Sequence, residues 1–195
     1  MIIGKTEING IRYAIWHLSE SVEALKALLG APTDRLLAGI SNPTRQKERL
    51  AARLLLKELC GGMQEVAYKE SGEPYLVGSN LNLSISHTKN YVAVALAPFR
   101  IGIDIEHTSE RVLRITEKFL NHTELAELTN TSNPAPTALL YWCAKEAMYK
   151  KMTEKEAEFT LFTCQQHHNT LTVHYQAETF SFIFEQNNHY TLVIG

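Results

Sequence analysis

Apolar and polar positions along the chain change period several times, and each change marks an element. Residues 11–18 (IRYAIWHL) alternate and predict a strand, followed by a short amphipathic helix over 20–29 with Ser19 as its cap. Gly30 and Pro32 stop that helix, and 33–43 read as a helix and then a turn. The strongest helical pattern of the first half is 45–59 (RQKERLAARLLLKEL), capped by Thr44 and stopped at Gly61-Gly62. Residues 66–69 and 75–77 predict short strands around a turn at 70–74, and 81–86 and 91–97 predict two longer ones.

The second half opens on 101–106 (IGIDIE), where isoleucines alternate with Gly102, Asp104 and Glu106. That pattern predicts a strand with Asp104 and Glu106 side by side on one face. Ser109 caps an expected helix over 110–119, and a further helix runs over 122–128. Residues 129–137 hold Asn130, Asn133, Pro134 and Pro136 and read as a loop. A helix over 139–152 follows, on which Trp142, Glu146 and Lys150 share a stripe flanked by Lys145. Strands over 159–165, 170–175, 180–184 and 190–194 close the chain.

There is a faint internal repeat. Trp16 to Lys57 and Asp104 to Lys145 both span 41 positions, which puts Glu58 on Glu146 and Ala14 on Gly102. The fold expected is therefore α+β, two similar α+β halves forming a pseudo-dimer, with a first half over 1–98 and a second over 99–195. Only the second carries the strand carboxylates; the first has Trp16 and Leu18 in their places.

Composition narrows the classes. At 195 residues and 45% hydrophobic the chain has the balance of an ordinary globular protein. A net charge of −2 leaves no basic footprint for nucleic acid. No apolar run has membrane-spanning length, and Glu7 comes too early for a secretory signal. Cys60, Cys143 and Cys164 are odd in number and scattered, which suits a reducing cytoplasm better than a disulfide frame or a zinc site.

Two stretches carry the chemistry. Asp104, Glu106 and Glu146 offer three hard oxygen ligands, which suit Mg²⁺ rather than Zn²⁺, and Lys145 and Lys150 add charge for phosphate. That set serves a phosphotransferase, a nuclease or a pyrophosphate-displacing transferase alike. Taken singly, each stretch is better explained by a half-exposed strand or a solvated helix face, and the same holds for the stripe Arg45, Arg49, Arg53.

The pairing of G-I-D-I-E at 102–106 with W-C-A-K-E-A-M-Y-K at 142–150 resembles the signature of 4′-phosphopantetheinyl transferases, in particular their larger type. Further similarity lies in the arginine-bearing helix, in K-E-S-G-E-P at 69–74, in L-S-I-S-H-T at 83–88 and in F-L-N-H-T-E at 119–124. The resemblance implies transfer of the phosphopantetheine arm of coenzyme A to a serine of an apo carrier protein (acyl, peptidyl or polyketide). It further implies that Asp104, Glu106 and Glu146 hold Mg²⁺ against the pyrophosphate, with Lys145 and Lys150 on phosphates and Glu146, directly or through a water, as the base. Ser86 and His87, with Arg49 or Arg53, would bind the 3′-phosphate, and Lys69, Gly72, Glu73 and Pro74 would frame the adenine. Glu73 departs from the family, which often has lysine there. A monomer with no nucleic-acid or membrane partner is expected. An unrelated Mg²⁺-dependent phosphotransferase or nuclease, and a non-catalytic coenzyme A or carrier-binding module, are the competing classes.

Overall fold

A computed structural model describes residues 1–30, 32–152, 157–168 and 170–195. The chain divides into two compact units, Met1–Phe99 and Arg100–Gly195.

The first unit begins with a strand absent from the pattern reading, β1 (Ile2–Ile8), paired antiparallel with β2 (Ile11–His17). Strand β1 is solvent-exposed almost throughout, so no inward apolar face imposes an alternation on it. The turn between them was the legible signal. Asn9 and Gly10 both take positive φ, 51° and 76°, as an Asn-Gly hairpin turn requires. Helix α1 (Val22–Leu29) is capped by Ser21, whose side chain accepts from Ala24 N, and not by Ser19. A short α2 (Asp34–Leu37) leads to α3 (Pro43–Cys60). Its cap is Asn42 rather than Thr44, with Pro43 at the position where a missing N–H costs nothing. Strands β3 (Val66–Tyr68) and β4 (Pro74–Leu76) form a small hairpin, and β5 (Asn82–Thr88) pairs with β6 (Tyr91–Ala97). The sheet order is β1-β2-β6-β5, antiparallel throughout. Helix α3 packs on β6 and β2, burying Leu50, Leu54 and Leu55 with Val92, Val94 and Leu96 in one core.

In the second unit β7 (Ile103–His107) is the edge of a five-stranded antiparallel sheet. The helix expected over 110–119 breaks into a 3-10 turn, Glu110–Arg114, and α4 (Thr116–Phe119). Helix α5 (His122–Thr129) starts on a full capping box between Asn121 and Glu124. Helix α6 (Pro134–Lys151) begins within the stretch expected to be a loop, because Pro134 and Pro136 lie in its first turn, where proline is tolerated. A 3-10 turn at Phe159–Leu161 replaces the start of the strand expected over 159–165, and β8 is Thr163–His167. Then come β9 (Thr170–Tyr175), β10 (Glu178–Gln186) and β11 (Tyr190–Ile194), in the order β7-β11-β10-β9-β8. Helix α6 packs on β11 and β7. Each unit thus sets a long helix on an antiparallel strand pair, α3 on β2/β6 and α6 on β7/β11. Among the described residues no helix is long and apolar enough to cross a membrane.

Candidate active site

In the second unit the site starts from a glycine. A Cβ on Gly102 would lie 1.8 Å from Ala147 O, so only glycine lets α6 come this close to the chain entering β7. Gly102 is also held by reciprocal backbone hydrogen bonds with Gly195, at 2.9 and 3.1 Å. This close approach brings the Glu146–Lys150 turn of α6 against the strand carboxylates.

Asp104 is 3% exposed, and Lys150 Nζ donates to its Oδ1 at 2.7 Å and to Ile103 O at 3.1 Å. Trp142 Nε1 donates to Glu106 Oε1 at 3.4 Å. Glu146 holds its proton to higher pH than an ordinary carboxylate, because it is partly buried and because Asp104 and Glu106 add negative charge, against which Lys150 pulls. All three carboxylates therefore act on one locality. Their hard oxygens fit a Mg²⁺-type cation in chemistry, and the mutual repulsion felt at Glu146 is what such a cation relieves. As they stand, however, no three His, Cys, Asp or Glu side chains among the described residues are arranged to hold a metal ion. Lys150 takes the cationic place beside Asp104.

Lys145, expected on a phosphate, is fully buried. Its side chain is 0% exposed, and its ammonium donates to Phe119 O (2.8 Å), Glu124 Oε2 (2.6 Å) and Phe162 O (2.8 Å). An ammonium has three donors, and these three acceptors account for them. Lys145 is directed into the core of the unit, with its donors committed there. Glu124 is equally committed, accepting Asn121 N on Oε2 and Cys164 N on Oε1. Trp142 packs edge-on to Phe119 at 5.1 Å and tilted on Phe159 at 5.6 Å, which fixes the indole beside Glu106.

The first unit holds a cleft of about 560 Å³. The stripe Arg45, Arg49, Arg53, which pattern alone assigns to a solvated face, lines it. Arg53 is only 7% exposed, and its Nη1 has no hydrogen-bond partner among the described residues. Across the cleft stands His87 on β5. Strand alternation sends Ile85 and His87 to the cleft, while Ser86 is buried and is not among the residues that line it. Gly72 and Pro74 line the cleft, with Gly72 at φ 82° in the β3–β4 turn. Lys69 and Glu73 do not line it, and their side chains pair with each other at 3.1 Å. Sequence reasoning passed over Glu48 and Tyr68, which also line the cleft; Arg49 lies 5.5 Å over the Tyr68 ring. Glu48 was findable, being three positions beyond Arg45 on the same helical face.

Residues 100–193 match the model of the 4′-phosphopantetheinyl transferase superfamily. The match falls within the second unit, Arg100–Gly195. Over 83 residues the chain is 30% identical to 4′-phosphopantetheinyl transferase gsp of Aneurinibacillus migulanus. That similarity covers 42% of this chain and 35% of the relative, so it spans about a third of the relative's length. The matched residues include Asp104, Glu106, Glu146 and Lys150, and also the buried Glu124–Lys145 pair.

Proposed function

We propose that the chain transfers the 4′-phosphopantetheine group of coenzyme A to a serine of an apo acyl, peptidyl or polyketide carrier protein, releasing adenosine 3′,5′-bisphosphate. The observation that carries this reading is the joint placement of Asp104, Glu106, Glu146 and Lys150 at the β7–α6 contact of the superfamily domain. Asp104, Glu106 and Glu146 would hold Mg²⁺, which supplies positive charge to the pyrophosphate. Glu146, directly or through a metal-bound water, takes the serine proton. The serine oxygen bonds to the phosphorus bearing the pantetheine arm, and the bond from that phosphorus to the bridging oxygen breaks. Lys150 balances the charge that grows on the departing phosphate.

The first unit's cleft supports a nucleotide-end role. Arg53 offers a buried donor, and Arg45, Arg49 and His87 add donors and charge suited to the 3′-phosphate, with Gly72 and Pro74 beside the adenine. Three unpaired thiols agree with a cytoplasmic location. The like plan of the two units supports their reading as related halves. Asp104→Asn tests the assignment: transfer is lost while the melting temperature stays within a few degrees. Transfer at an undiminished rate contradicts it.

A further inference from the structure

A cleft lined by arginines for phosphate has no need of a carboxylate, yet Glu48 stands in it. Glu48 is 9% exposed, and its Oε2 accepts from Arg45 Nη1 at 2.9 Å while its Oε1 lies 3.6 Å from His87 Nδ1. Arg45 Nη1 is in turn 3.0 Å from His87 Nε2. The guanidinium and the imidazole at the cleft mouth are therefore already engaged by an anion that belongs to the protein. An entering phosphate must take these groups from Glu48 or share them with it, and like charges at that distance repel.

Two roles are open to such a residue, and they differ in sign. A carboxylate that only positions Arg45 and His87 strengthens phosphate binding; one that competes for them weakens it. The geometry favours competition. The Arg45 side chain is 59% exposed and can turn from Glu48 toward a ligand, so it needs no brace. Arg53, by contrast, is buried on the same helix with an Nη1 that has no hydrogen-bond partner among the described residues.

Resting on the coenzyme A reading of the cleft, we propose that Glu48 is a specificity-determining residue that competes with the ligand's 3′-phosphate for Arg45 and His87. It lowers the affinity for the nucleotide end and so speeds departure of the bisphosphate product. Glu48→Gln keeps the shape and the hydrogen-bonding reach but removes the charge.

Calorimetric titration of the full chain and of Glu48→Gln, each with adenosine 3′,5′-bisphosphate and with adenosine 5′-phosphate, tests this. The variant should bind the bisphosphate about fivefold to tenfold more tightly and the monophosphate within about twofold of the parent. In an Arg45→Ala background the gain should fall by at least about half, as coupled residues require. Should Glu48→Gln fold poorly, Glu48→Asp withdraws the carboxylate from Arg45 and should show a smaller gain of the same sign. Unchanged or weaker bisphosphate binding in the folded variant overturns the inference and leaves the coenzyme A reading standing. If the parent chain binds neither nucleotide, that reading falls, and this inference falls with it.

Discussion

Lys145 Nζ and Glu124 Oε2 lie 2.6 Å apart with the two side chains 0% and 2% exposed, and this buried pair joins α6 to the start of α5. Glu146, the next residue along α6, faces the strand carboxylates. The helix thus has its lysine fixed in the core and its neighbouring glutamate turned to the strand carboxylates.

Removing one member of that pair strands the other. Lys145→Met leaves the Glu124 carboxylate buried without its cation, which costs roughly 3–5 kcal/mol. The double variant Lys145→Met/Glu124→Gln should recover a good part of that loss. Chemical denaturation of the single and double variants measures both; a single variant as stable as the parent contradicts the reading.

Gly102→Ala should be among the most damaging single-methyl changes in the chain. The added carbon would fall 1.8 Å from Ala147 O, so α6 must move away from β7. Overpacking of this kind costs about 1–3 kcal/mol, and the movement separates Glu146 and Lys150 from Asp104. A lowered melting temperature together with loss of activity is expected, and a fully stable, active variant refutes it.

How much of this was legible in the sequence depended on whether a residue's role is local. The strand carrying Asp104 and Glu106 showed in the isoleucine alternation, and most helices showed in their period. What the pattern did not show were features set by distant partners. Lys145 looked like a phosphate ligand because it lies beside Glu146 in sequence, and only the fold brings Glu124, Phe119 and Phe162 around it. Ser86 adjoins His87 in sequence, yet the strand turns the two to opposite faces. The arginine stripe looked like a solvated face because period reports that residues share a side, not what that side meets. Glu48 was overlooked for the same reason, since its second neighbour, His87, comes from a strand 39 positions further on.

The thiols should show their burial in their reactivity. Burial, and then nearby carboxylates, push Cys143 and Cys164 well above the ordinary thiol range, while burial pushes Cys60 up more mildly against the pull of Arg12. A raised thiol pKa means less thiolate at a given pH, so reaction slows below that pKa and recovers above it. With a disulfide reagent at pH 8 the native protein should label slowly at Cys60 alone, and all three thiols should react once it is unfolded. Rapid native labelling of Cys164 would contradict the packing of β8 against α6.

The most direct measurement is the mass of an apo carrier protein after incubation with the full chain, coenzyme A and Mg²⁺, alongside Glu146→Gln. A gain equal to one phosphopantetheine group, with adenosine 3′,5′-bisphosphate formed in equal amount and both lost in the variant, is the result predicted. An unmodified carrier across acyl, peptidyl and polyketide types, with coenzyme A left intact, would contradict the assignment of this chain as a phosphopantetheinyl transferase.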